Sequence, residues 1–239
     1  MSSTPISLLA LPAELWTALW LTVRLAGVST LLLLAISLPL AGWINRTRSH
    51  AGAAIEALAS LPMVLPPTVI GFYLLIAFGN QSPLGQAWTS LFGHALAFSF
   101  PGLVVGSVLY SLPYALQPIQ VSLRELDAAL IEAAVALGAK PRQTFWRVMV
   151  PAARSGIASG AALSFAHTIG EFGVVLMLGG NIPGVTRVAS IALYDAAQNL
   201  NYAIAHTYAL VLLAISFAML LLIAALRKSN QRHARPHLR

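Results

Sequence analysis

Four side chains able to do acid–base or hydrogen-bond chemistry recur inside one apolar run of the sequence: Ser164, His167, Thr168 and Glu171. Offsets of three, four and seven residues put them on one face of a helix. An ionisable group at membrane depth costs at least about 2.5 kcal/mol and marks a functional site by default. The competing reading is a hydrogen bond between helices that fixes packing, with Gly170 and Gly173 admitting a close neighbour. Glu171 suits gating or helix locking better than direct anion binding, because like charges repel. His167 and Glu171 stand one turn apart like a pair of metal ligands, but no third or fourth ligand is evident, so no metal is expected. Ser164, His167 and Glu171 also carry the residue types of a hydrolytic triad, yet rigid spacing along one helix rarely gives triad geometry.

A second group is made of helix breakers. Leu61-Pro62-Met63-Val64-Leu65-Pro66-Pro67-Thr68 places three prolines inside an apolar run, and each removes a backbone donor. Irregular backbone at membrane depth is tolerated only where it is buried in protein or lines a wet cavity. Pro66, Pro67 and Thr68 are therefore candidates for a pathway wall, and Pro113 and Pro118 are expected to play the same part further along. A kink that serves packing alone is the alternative.

These groups need a bilayer around them. The 239 residues are 58% hydrophobic and 9% charged, with a mean hydropathy of +0.78, against about 25% charged in ordinary soluble domains. The formal net charge of +7 does not indicate nucleic acid, because the cations gather in short blocks between apolar runs. With no cysteine, thiolate chemistry and sulfur-ligated zinc are excluded. The first apolar run is longer than a signal-peptide core and lacks a basic lead, so it is expected to stay uncleaved.

Crossing the hydrocarbon layer takes about 20 apolar residues. Five stretches qualify, at about 17–44, 55–79, 95–120, 154–179 and 203–226. The run at 182–200 contains Pro183, Gly184, Arg187 and Asp195; it is expected as a partly inserted outer helix, with a sixth crossing as the alternative. The expected fold is thus an all-α polytopic bundle, one transmembrane domain over 1–239. Twelve of the fourteen cations fall on alternate loops: Arg46 and Arg48; Arg124, Lys140, Arg142, Arg147 and Arg154; and a basic tail at 227–239. Retention of cationic loops inside the cell puts the N-terminus outside and the C-terminus in the cytoplasm. The tail itself reads as a flank that attracts anionic lipid.

The segment 122–151 is long for a connection without a function. Ser122 and Glu125 have capping-box spacing. Leu126, Ala129, Leu130, Ala133, Ala134 and Leu137 then follow helical periodicity. Gly138 suits a left-handed C-cap, and Pro141 can open a second short helix that carries Phe145, Trp146 and Met149 before Pro151 ends it. Two readings stay open on pattern alone: a helix pair docking in a partner's groove, or one lying on lipid headgroups.

Glu132-Ala133-Ala134, three residues, Gly138, nine residues, Val148, one residue, Val150 and Pro151 resemble the EAA loop of binding-protein-dependent ABC importer permeases. Val stands where that family usually has Ile and Leu before the last Pro. Gly170-Glu171-Phe172-Gly173, the run Gly180-Asn181-Ile182-Pro183-Gly184-Val185-Thr186-Arg187, and Ile191-Ala192-Leu193-Tyr194-Asp195 are similar to molybdate permeases; tungstate and sulfate permeases share parts of them. The resemblance implies a homodimer, two copies of a cytoplasmic ABC ATPase and an extracytoplasmic oxyanion-binding protein. It implies ATPase coupling through Glu132, Ala133, Ala134, Gly138, Phe145 and Pro151, and alternating access along the broken spans. No Gly-rich phosphate loop ending in Lys-Ser or Lys-Thr is present, so this chain is expected to be neither an enzyme nor a cofactor binder. An ion-coupled secondary transporter is the rival from another class; it would call for intramembrane ion pairs and often inverted repeats, whereas Glu171 stands nearly alone.

Overall fold

A computed structural model describes residues 13–47 and 50–233. Arg48, the N-terminal twelve residues and 234–239 of the basic tail lie outside the described residues. Among the described residues twelve α-helices follow in chain order: α1 (Ala13–Arg46), α2 (His50–Ser60), α3 (Pro67–Phe78), α4 (Pro83–Phe92), α5 (Phe100–Arg124), α6 (Ala128–Ala136), α7 (Pro141–Thr144), α8 (Val150–Ala152), α9 (Arg154–Gly170), α10 (Gly173–Gly179), α11 (Ala189–Gln198) and α12 (Tyr202–His233). A 3-10 turn, Leu61–Met63, follows α2, and a π turn, Phe145–Met149, links α7 to α8.

Helices α1, α5 and the first 21 residues of α12 are each long and apolar enough to cross a bilayer. Two further runs do so only as bent pairs, α2 to α3 with a bend of 108° and α9 to α10 with a bend of 60°. Counting each pair as one span gives the five expected crossings. At 34 residues α1 is about 51 Å long, well beyond the hydrocarbon thickness of about 30 Å. Helix α11 has ten residues, about 15 Å, and is too short for a sixth crossing.

Helix α5 is the centre of the bundle, with α1 and α9 packed against it. Its contact with α9 is backbone-close. A Cβ at Gly156 would meet the Pro118 carbonyl oxygen at 2.5 Å, and one at Gly160 the Ala115 carbonyl oxygen at 2.7 Å. Two glycines four residues apart are how membrane helices approach when dispersion rather than the hydrophobic effect holds them together. One apolar cluster joins α1, α3, α5 and α10 through Leu25, Phe78, Leu103, Val174 and Leu178. A second joins Ile44 and Leu116 to Leu123 and Phe145 of the 122–151 segment. A third, at the opposite end, joins the starts of α1 and α12 to α11 through Leu15, Ala189 and Tyr208.

Four local expectations are corrected. Helix α5 runs unbroken through Pro113 and Pro118, so neither opens the backbone as the 61–68 prolines do. Span four is not one helix: α9 stops at Gly170, and Glu171 adopts an extended backbone at φ −71°, ψ 134°. Glu171 therefore leaves the helical face that carries Ser164, His167 and Thr168. Ser122 lies inside α5 and Glu125 just past its end; the N-cap of α6 is Asp127, whose carboxylate accepts from Ala129 N at 2.9 Å. Pro151 sits inside α8, and the turn before α9 comes at Ala153.

Candidate functional site: the cavity at two helix breaks and the short helices of 122–151

Where both bent spans break, the chain opens a cavity of about 500 Å³ lined by Pro67, Thr68, Tyr110, His167, Glu171 and Phe172. The prolines before α3 create one wall. Pro66 is extended, at φ −56° and ψ 137°, and Pro67 starts the helix, where its missing N–H costs nothing. The α9–α10 break supplies the opposite wall. Glu171 is 5% exposed; its Oε1 accepts from Val174 N at 2.7 Å and Val175 N at 3.3 Å. The carboxylate thus satisfies amides that the start of α10 would leave unpaired. The Glu171 carbonyl accepts from Ser190 Oγ at 2.7 Å, which ties the break to α11. Oε2 has no hydrogen-bond partner.

Below the cavity wall α5 and α9 share a polar seam. Thr168 Oγ1 donates to the Ser164 carbonyl at 2.9 Å, Ser111 Oγ lies 3.1 Å from Thr168 Oγ1, and His167 Nδ1 lies 2.9 Å from Ser111 Oγ. The His167 ring stacks on Tyr114 at 3.8 Å between centroids and lies 5.1 Å from Tyr110. Ser164 is fully buried and donates to the Gly160 carbonyl at 2.8 Å, so it faces packing rather than the cavity. Pro113 is likewise buried within α5.

In the 122–151 segment, α6 ends in a Schellman turn: Gly138 N donates to the Val135 carbonyl and Ala139 N to the Ala134 carbonyl, with Gly138 at φ +82°. Lys140 N then donates to Gln143 Oε1 at 2.9 Å as α7 begins. No residue of α6 is buried. Glu132 and Ala133 are exposed, Ala134 is half-buried, and Leu137 is 89% exposed. Among the described residues most of this helix's surface is therefore uncovered, with Leu126 just before it packed on the second apolar cluster and only Ile131 and Val135 beside Arg46 and Pro141. Phe145 does the reverse. Its ring is buried against Gly42 of α1, where no side chain could fit, and Arg46 covers it at 5.5 Å. Arg46 Nη2 also donates to the Pro141 carbonyl at 2.6 Å.

Residues 34–232 match the family described as "Binding-protein-dependent transport system inner membrane component". The chain belongs to this family. It is the membrane-embedded permease component of an ABC importer, with ATP hydrolysis on a separate subunit. Among its relatives is the "Molybdenum transport system permease protein ModB" of Azotobacter vinelandii, 46% identical over 211 residues, covering 88% of this chain and 93% of that protein. The protein of the same description from Escherichia coli K12 is 32% identical over 183 residues, covering 77% and 80%. The fold is similar to a bacterial ABC transporter that imports alginate (TM-score 0.74, 17% identity, 95% of this chain and 82% of that one) and to the MetNI methionine transporter (0.66, 18%, 89% and 95%).

In this permease Pro67 and Thr68 face Glu171 across one cavity, Pro66 is not among its lining residues, Ser164 and Pro113 stay in the packing, and Thr168 reaches the cavity only through Ser111 and His167. Sequence reasoning missed Tyr110, Ser111 and Tyr114. Their signal was present as polar residues at positions 107, 110, 111 and 114, one helical face of an apolar span.

Among the described residues no group of three His, Cys, Asp or Glu side chains could hold a metal ion.

Proposed function

We propose that the chain, as a homodimer, forms the membrane pathway for molybdate in an ATP-driven importer, served by two cytoplasmic ATPase subunits and an extracytoplasmic binding protein. The observation that carries the substrate is the 46% identity to the Azotobacter vinelandii molybdenum permease over nearly all of both chains. A sulfate permease of Synechocystis is 34% identical, but only 63% of its length is covered. The N-terminus lies outside and the C-terminus in the cytoplasm. That orientation agrees with the coupling element gathering at the end of the bundle that holds Arg46, Arg124 and Arg154.

Closure of the ATPase pair pulls on the exposed face of α6, with Glu132, Ala133 and Ala134 in the partner's groove. The Gly138 turn keeps α6 and α7 at a fixed angle, and Phe145 passes the stroke to α1. The bent spans at Pro66–Thr68 and Glu171 then open or shut the cavity. Rigid short helices transmit such a push, where a loose loop would absorb it.

The test is uptake of labelled molybdate by the complex reconstituted with its ATPase and binding protein, with sulfate as competitor. Uptake should need ATP and should collapse in Gly138→Pro and in Glu132→Lys while both variants still insert in the membrane. Uptake without an ATP-hydrolysing partner, or normal uptake in both variants, would overturn the assignment.

A further inference from the structure

Helix α2 is held by polar ties more than by packing. Of its eleven residues only Gly52 and Ala59 are buried, and an apolar cavity of about 440 Å³ lies between its Ile55, Leu58 and Ala59 and the facing Leu40, Leu109 and Leu112. Two side chains of α5 fasten it. Arg124 Nη2 donates to Glu56 Oε2 at 2.8 Å and to Oε1 at 3.0 Å, and Arg124 Nε donates to Asn45 Oδ1 at 3.2 Å. One guanidinium thus joins the ends of α1 and α5 to the middle of α2. Seven residues earlier on the same face of α5, Gln117 Nε2 donates to Met63 Sδ at 3.2 Å, so the 3-10 turn after α2 is tied to α5 as well. The other ion pair among the described residues, Arg187 with Asp195, is looser at 3.8 Å.

The fastening stops where the chain breaks. Val64 follows Met63 directly, and beyond the break α3 is seated on α10 instead: a Cβ at Gly71 would meet Met177 Cβ at 2.7 Å, and one at Gly173 would meet Pro67 Cβ at 2.6 Å. We propose that Glu56 and Arg124, with Asn45, are positioning residues that clamp α2 to the end of α5 where the 122–151 segment begins, so that α2 moves with that segment and delivers its displacement to α3 across residues 64–66. This rests on the function proposed above and adds the residues that carry the stroke to the second span.

Place and chemistry both fit a clamp. Arg124 is the last residue of α5, and Asp127, three residues on, caps α6, so little chain separates the guanidinium from the helix on which the ATPase is to act. A guanidinium is planar and presents its donors in a fixed fork; with a carboxylate and an amide oxygen bound at once its direction is set, where a lysine ammonium would swivel. The pair is partly in solvent, with Arg124 51% and Glu56 35% exposed, and such a pair adds little to overall stability. Its use is to set the direction in which α2 follows α5, because the cavity under α2 leaves few apolar contacts that could do so.

The experiment is ATP-driven uptake of labelled molybdate by the reconstituted complex, expressed per ATP hydrolysed. Glu56→Arg and Arg124→Glu each set like charges face to face, so uptake per ATP should fall about tenfold while hydrolysis continues. The doubly reversed chain restores the pair, with Asn45 donating where it now accepts, and should recover to within about twofold of the unmodified ratio. A second variant needs no charge. Glu56→Cys with Arg124→Cys, in a sequence that has no other cysteine, should be uncoupled as it stands and regain its ratio once a short bis-maleimide links the two. A role in folding alone would lower insertion, hydrolysis and uptake together and leave the ratio unchanged. The inference is overturned by that outcome, by a doubly reversed chain no better than the single reversals, by an unlinked cysteine pair with the unmodified ratio, or by a linked complex that hydrolyses ATP without transport. Where a charge-reversed chain fails to insert, the cysteine pair decides. Absence of ATP-driven uptake by the unmodified complex would instead overturn the transport reading, and this inference with it.

Discussion

Replacing Phe145 with Ala removes the ring that seats the coupling element in the bundle. Phe145 is 5% exposed and belongs to the cluster of Ala41, Ile44, Leu123 and Ala153. Truncating a buried Phe costs about 3–5 kcal/mol, the lost transfer energy plus the cavity left behind. The Arg46 guanidinium over the ring, at 5.5 Å, contributes about 0.5 kcal/mol at an exposed position. Arg46 still holds the element through the Pro141 carbonyl, so the lower end, about 3 kcal/mol, is the appropriate figure. At 1.4 kcal/mol per factor of ten, the detached population should rise roughly 100-fold. Trypsin reads that population directly. Arg142 and Arg147 are exposed but helical, and cleavage after them requires local opening, whose equilibrium sets the rate when reclosing is fast. Cleavage should accelerate roughly 100-fold in the assembled complex. Oxyanion moved per ATP should fall while hydrolysis continues, because the stroke no longer reaches α1. Unchanged cleavage together with unchanged uptake per ATP would refute the anchoring argument.

Gly138→Ala should lower the thermal stability of the coupling element by about 1–2 kcal/mol, because φ +82° places a Cβ against the following carbonyl; faster hydrogen exchange confined to α6 and α7 would show it, and unchanged exchange would contradict it. Glu171→Gln keeps an acceptor for Val174 N and Val175 N and removes a charge from a buried site, so the melting temperature should hold or rise. Glu171→Ala removes the cap and should cost about 1–2 kcal/mol, and equal melting for the two variants would count against the capping role.

The spans and the short helices of 122–151 were legible because both rest on period and length. Apolar runs of about 20 residues have only a helix to adopt in lipid, and the Gly138–Pro141 pair marks a stop and a start. The two breaks were not equally visible. At 61–68 three prolines announce one. At Glu171 no proline is present, and the helix ends because the carboxylate caps the next helix and the Glu171 carbonyl binds Ser190, a contact nineteen residues away that no local pattern contains. The reverse error came at Pro113 and Pro118. Each deprives a carbonyl of its donor, but the close packing of α9 and α1 on α5 holds the helix through both. Local propensity lost to tertiary contacts in each case.

The glycine seam between α5 and α9 has a mechanical consequence. With Gly156 and Gly160 seated on the main chain of α5, neither helix can slide or roll past the other without carbonyl oxygens meeting Cα atoms. If the pair moves as a strut, deformation during a transport cycle falls at the breaks at residues 64–66 and 171–172. A disulfide engineered across the strut should leave turnover intact, while one spanning either hinge should stall it.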